Sequence, residues 1–281
     1  MNLLLFAFLA AADPCTYFTE QDLRQLFEIP PQTPVRIVRA DSCGYLWMGL
    51  PPTGPQLREA LMSGKHEFKN GVTHTILERE RMSLQTYTLP QALKTVGYTT
   101  GVFGKWHLGD EAEYRPDRRG FDETFIHGAG GIGQTYPGSC GDAPGNKYFD
   151  PAILHNGKFE RTKGYCTDVF YAQATAWLDA QRKTGKPFFC YLPSNAPHAP
   201  YNARPEDRAL YADKVGEPAA SFFGMVHNID QNIGKLLAKL DEWGLAQNTL
   251  VIFMNDNGGT GGYAISGPSP SVQRSTRRDR R

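Results

Sequence analysis

At 281 residues, 40% hydrophobic and 12% aromatic, the chain is long enough for one large core or for one domain with an attachment. Lys+Arg 30 against Asp+Glu 29 gives a formal charge of +1, which excludes the electrostatic footprint of a nucleic-acid or anionic-membrane binder. The five cysteines, Cys15, Cys43, Cys140, Cys166 and Cys190, show no CxxC spacing, so neither a zinc ribbon nor a redox pair is expected.

Residues 1–12 hold an apolar run too short to span a bilayer, followed by three alanines. They read as a signal peptide, and so as export to a periplasmic or extracellular space, with a buried first strand as the alternative. Residues 13–57 are broken by Pro30-Pro31 and Pro51-Pro52 and show no sustained period. Arg58 to Gly64 reads as a short helix stopped by glycine. Thr88 to Val96 reads as a helix with Thr88 as N-cap, Pro90 in the first turn and Gly97 as the stop. Thr99 to Phe103 is an apolar strand that breaks at Gly104 into Lys105, Trp106 and His107. Residues 110–166 are rich in glycine and proline and read as one long irregular segment, of the kind that carries function. Cys140 and Cys166 flank part of it and are candidates for a disulfide.

Thr167 is expected to cap a helix to about Lys183, burying Val169, Phe170, Ala174, Trp177 and Leu178. Pro187 to Leu192 is a strand with Cys190 in the core. Phe222, Val226, Ile229, Ile233, Leu236, Leu237 and Leu240 step by threes and fours, the signature of an amphipathic helix, which Gly244 ends. Thr249 to Met254 is the next strand, and 263–281 is a basic tail without apolar pattern. Helices alternating with strands argue for an α/β fold with a largely parallel sheet.

Three of these strands end in polar clusters: Lys105 with His107, Asn195-Ala196-Pro197-His198, and Asp256-Asn257-Gly258-Gly259. In open α/β sheets ligands bind beyond the carboxyl ends of the strands. Lys105 beside His107 puts a fixed cation next to a titratable imidazole, which suits an anionic substrate whose reaction moves a proton. His198, between Pro197 and Pro200, suits an oxyanion donor or general acid. Asp256 and Asn257 are oxygen donors of the kind calcium or magnesium takes, although an ordinary turn after a strand uses the same residues. Gly128 to Gly133 formally matches GxGxxG, but Pro137 and Gly138 follow where a dinucleotide site needs a helix. GxxxxGK[ST], HExxH and GxSxG do not occur.

Together the clusters resemble the sulfatase family of the alkaline phosphatase superfamily. Thr88 to Gly109 is similar to its second signature; Arg119-Gly120-Phe121-Asp122, Pro187 to His198 and Thr249 to Gly259 match further segments in order. The resemblance runs from about Arg58 to Gly259. It implies an α/β, alkaline phosphatase/sulfatase-like fold with a central, mostly parallel mixed sheet flanked by helices, incomplete at both ends. It implies a sulfatase-like domain over 58–262, a sulfuric ester hydrolase acting on a sulfated small molecule or carbohydrate, with no membrane span. Carried over, Asp256 and Asn257 would bind Ca2+, Lys105 would contact the sulfate, His107 would hydrogen-bond the formylglycine nucleophile, and His198 would face the sulfate and leaving group. Arg58 would be the arginine of the C/S-x-P-S/T-R motif.

The chain departs from the family at the nucleophile. Four residues before Arg58 stands Gly54, which has no side chain to oxidise to formylglycine, so the double-displacement route is closed. The paired aspartates that end the family's first strand are also missing, and Asp13 is not assigned their role. Val35 to Leu57 lies between Gln32-Thr33-Pro34, which resembles a short family segment, and the segment at Arg58, yet resembles nothing, as a stretch read out of frame or a divergent one would. A non-catalytic remnant and a related phosphoesterase are therefore the alternatives.

Overall fold

Two parallel pairings set the architecture: β4 (Thr99–Lys105) lies between β5 (Glu123–His127) and β8 (Phe188–Tyr191) and runs parallel to both. The structure, a computed structural model, describes residues 3–9, 35–39, 43–47, 54–74, 77–128, 130–134 and 142–255. The main sheet has the order β7-β6-β5-β4-β8-β1-β9, with β1 (Leu3–Leu9), β6 (Ala152–His155), β7 (Lys158–Arg161) and β9 (Thr249–Asn255) completing it. β6 runs antiparallel to β5 and β7, and β1 antiparallel to β8 and β9. Hence β4, β5, β7, β8 and β9 share one direction, and the sheet is mixed but mostly parallel. A separate hairpin pairs β2 (Val35–Arg39) with β3 (Cys43–Trp47), inside the stretch that shows no sequence pattern.

Side chains alternate across the central strands, as a sheet covered on both faces requires. Phe103, Phe188 and Cys190 join one buried cluster, packed by α3 (Cys166–Arg182) through Phe170, Ala174, Trp177 and Leu178. Val102, Phe189 and Tyr191 join the other, with Met62, Trp106 and Phe121. Phe121 stacks on Phe189 and Tyr191 at 6.0 and 6.2 Å between ring centres. The flanking helices are α1 (Gly54–Ser63), α2 (Leu89–Thr95), the short α4 (Pro205–Ala209) and α5 (Ala219–Glu242).

The start of α2 follows its sequence signals: Thr88 N–H donates to Gln91 Oε1 at 2.9 Å, and Pro90 needs no donor there. Gly97, at φ 91, ends the helix while Tyr98 N–H donates back to Leu93 O at 3.1 Å.

Several expectations need correction. The cap of α3 is Tyr165, and Thr167 is buried inside the first turn. Cys166 is a buried free thiol, so the disulfide to Cys140 is not made; Cys140 itself lies outside the described residues. On α5 Leu237 is 39% exposed, because the helix rests on a narrower stripe of Phe222, Ile229, Leu236 and Leu240. The segment 110–166 is not uniformly irregular, since it supplies β5, β6 and β7. These strands have four or five residues each and depend on pairing rather than on their own pattern. Asn156-Gly157, at φ 47 and 85, makes the two-residue turn between His155 and Lys158, a hairpin signal the sequence does carry. Leu3–Leu9, for which the sequence leaves a signal peptide and a buried first strand both open, forms the strand β1. Among the described residues no helix is long and apolar enough to cross a membrane.

Candidate functional site

The strands that share a direction end along one edge, and there two of the polar clusters, Lys105–His107 and Asn195–His198, meet. Lys105 is in register with His127, the last residue of β5. Trp106 N–H donates to His127 O at 2.9 Å and His107 N–H to Gly128 O at 2.8 Å, so β4 and β5 stay zipped beyond their ends. Lys105 N–H donates to Pro193 O at 2.7 Å, which ties in the segment after β8. That approach needs Gly104: at φ 136, a Cβ there would overlap the Pro193 carbonyl. His198 N–H donates to Asn195 O at 3.0 Å and closes the next turn.

His107 sits at φ 59, in the left-handed region that a non-glycine residue rarely adopts. Such strain costs on the order of 1 kcal/mol and persists where surrounding structure over-determines it, often at functional sites. Lys105 and His107 are 2% and 4% exposed. Glu80 Oε2 lies 3.2 Å from His107 Nε2. Burial first, and then the neighbouring charge of Asp110, pushes the Glu80 carboxyl up to about 8.

The glycine-rich stretch set aside as a dinucleotide motif has a different use. Gln134 N–H donates to Gly131 O at 3.0 Å, making a turn where a helix would have to open. A Cβ at Gly130 would stand 3.0 Å from His107 Nε2, and one at Gly131 would stand 3.0 Å from His198 Cε1. One turn thus lies against both imidazoles, and any side chain there would displace them. Asp142 anchors it by accepting from Gly133 N–H at 2.6 Å, with Asn146 Nδ2 at 2.7 Å on its other oxygen. Burial pushes its carboxyl up to about 6.

His127 was not among the residues singled out from sequence. It is wholly buried, and burial holds its imidazole well below the usual histidine range, with the charges of Lys105 and Arg58 and with His198 acting in the same direction. Asn195 is its polar neighbour. Even so, neither ring nitrogen of His127, neither amide atom of Asn195, nor the Ser194 hydroxyl closes a well-aligned hydrogen bond. Leaving such atoms buried costs about 1–3 kcal/mol each, so their density at one strand edge is a departure from ordinary packing of the kind found at functional sites. The only sequence signal for His127 was its place as the last residue of a strand that went unrecognised.

The structure therefore brings Lys105, His107 and His198 together and adds His127, Ser194 and Asn195. Arg58, wholly buried on α1, lies beneath them, donating from Nη1 to Lys105 O at 2.9 Å. Gly54 is the first residue of α1. Asp256 and Asn257 follow β9 and lie outside the described residues. Leu3 is opposite Asn255 and Leu9 is opposite Thr249, so β1 runs against β9 and its last residue lies at the opposite end of the sheet from the site. Among the described residues no three acidic, histidine or cysteine side chains could hold a metal ion. Two oxygen donors from Asp256 and Asn257 fall well short of the six to eight that calcium takes.

The Sulfatase family model matches residues 51–275. Arylsulfatase J of Mus musculus is 30% identical over 206 residues, covering 72% of this chain and 34% of its own length. The uncharacterized sulfatase YdeN of Escherichia coli (strain K12) is 27% identical over 251 residues, covering 81% and 41%. N-acetylgalactosamine-6-sulfatase of Rattus norvegicus is 30% identical over 230 residues, covering 72% and 40%. Among solved structures, Ps i-CgsB in complex with k-i-k-neocarrahexaose superposes with a TM-score of 0.59 at 26% identity, over 71% of this chain and 46% of that one. The chain thus spans 34% to 41% of the length of these curated relatives. With a family match over most of its length, this chain belongs to the sulfatase family.

Proposed function

We propose that this chain carries the sulfate-ester site of an arylsulfatase-like sulfuric ester hydrolase, built for a sulfated small molecule or carbohydrate. The observation that carries the reading is the convergence of Lys105, His107, His127 and His198 on one strand edge. Lys105 supplies fixed positive charge to the sulfate oxygens. His198, only partly buried, faces the sulfate and the departing alcohol, where a proton has to be delivered. His107 hydrogen-bonds the attacking group, and Arg58 holds the backbone of Lys105 from below. His127, Asn195 and Ser194 add neutral polar atoms that a bound oxyanion satisfies. Relatives bearing the names arylsulfatase and N-acetylgalactosamine-6-sulfatase support the substrate class.

Gly54 favours a second reading of the same site, in which esters bind but do not turn over. With no side chain at that position no covalent intermediate forms. A calcium ion at Asp256 and Asn257 belongs to the family's chemistry; among the described residues no three side chains make up a site for it, and no step is assigned to one. Export fits the proposed substrates. N-terminal sequencing of the secreted product distinguishes a removed leader from a retained β1.

The test uses the chain as it stands, with 4-nitrophenyl sulfate as probe. Binding is expected by calorimetry, weakened about tenfold in Lys105→Ala, which removes a charged contact; equal binding by both proteins overturns the site. No hydrolysis is expected. Turnover that disappears in His198→Ala would sink the non-catalytic reading, and faster release from 4-nitrophenyl phosphate than from the sulfate would identify a phosphoesterase instead.

A further inference from the structure

Glu80 is the side chain that closes against His107 from the side of the loop before α2. It ends a 3-10 turn, Leu77–Glu80, that is held by hydrogen bonds just before and just after Glu80. Thr73 and His74 N–H both donate to Arg79 O, at 2.9 and 3.1 Å, and Met82 N–H donates to Leu108 O at 3.2 Å. The last of these bonds binds the loop to the residue after His107, so carboxyl and imidazole are fixed in one local frame. Both side chains are buried, and Oε2 and Nε2 are 3.2 Å apart.

Resting on the reading that His107 belongs to the sulfate-ester site, we propose that Glu80 is a positioning residue that forms a carboxyl–imidazole pair with His107 and shares one proton with it. The pair has the same net charge whether the proton sits on the carboxyl or on the ring. His107 can therefore gain or lose imidazolium character without a change of charge in a buried place, which would otherwise cost heavily. Asp110 and Glu111 face the pair and favour holding the proton, while Lys105 and Arg81 oppose it. Arg81 is itself paired with Glu111, which leaves Lys105 and Asp110 as the near charges in balance.

The experiment is an NMR titration of isotopically labelled chain without any sulfate ester. In the wild type the Glu80 carboxyl and the His107 ring are expected to respond with common midpoints, as a coupled pair does. Glu80→Gln keeps the shape and removes the acid; it should lower the His107 midpoint by about one pH unit, with Glu80→Asp restoring part of the shift. Independent titration in the wild type, or a His107 midpoint unmoved in Glu80→Gln, overturns the pair. The wild-type measurement decides even where a variant fails to fold. Because no ester is present, loss of the pair and loss of sulfate binding are read separately.

Discussion

Arg58 Nη1 donates to the carbonyl oxygen of Lys105 at 2.9 Å and lies 3.4 Å from the Tyr191 hydroxyl, tying α1 to the ends of β4 and β8 at once. A fully buried guanidinium that caps a strand end acts on fold and site together. Arg58→Met should leave the Lys105 carbonyl without this donor and lower stability by about 2 kcal/mol, read from the urea midpoint. An unchanged midpoint would show that the contact contributes nothing to folding.

Two glycines near the site should respond differently to a methyl group. Gly104→Ala sets a Cβ against the Pro193 backbone at a φ of 136, where the neighbour cannot yield, and should prevent cooperative folding. Gly131→Ala meets the Gln134 side chain and His198 Cε1 at 2.9 and 3.0 Å, atoms that can move. Its thermal transition should survive while the His198 ring resonance shifts. A Gly104→Ala protein as stable as the wild type would contradict the close strand-end approach.

Glu59 is wholly buried, and burial pushes its carboxyl up to about 7 against a usual value near 4.5. Its folded form prefers the proton, so its contribution to stability is complete below about pH 4.5 and is lost as pH rises through 7, at up to about 1.4 kcal/mol per pH unit. Glu80 extends the same trend to about 8. Glu59→Gln should therefore gain on the wild type in urea midpoint between pH 5 and about 7. A difference between the two proteins that does not change with pH would refute this account.

His127 is held neutral by burial and by the positive charge of Lys105, so it opposes that trend and penalises the fold only as pH falls below the usual histidine value. Its ring should show no titration across the range in which an ordinary histidine titrates. Lys105→Met should raise its midpoint towards the ordinary range, and an ordinary midpoint in the wild type would place His127 outside the positive cluster.

Much of the site was legible because three strand ends are marked by residue type. Lys105, His107 and His198 each follow a short apolar run broken by glycine or proline, and runs of that kind end at the ligand edge of an α/β sheet. His127 was not legible because β5, Glu123–His127, has neither alternation nor a marked boundary. It exists by pairing with β4. Glu80 was hidden for a similar reason, since nothing near it in sequence indicates that it will meet His107 twenty-seven residues later. The turn Asn156-Gly157 was a local signal that a reading by apolar period alone passes over.

By itself the sequence determined the family-like order of elements, the strand-end lysine and histidines, and the missing side chain at position 54, because these depend on residue type and short-range spacing. Only the tertiary structure decided that Leu3–Leu9 enters the sheet antiparallel, that His127 stands in register with Lys105, and that one glycine turn rests against both His107 and His198. Those are long-range pairings, set by backbone hydrogen bonds and close packing between segments far apart in the chain. No local pattern of side chains encodes their register.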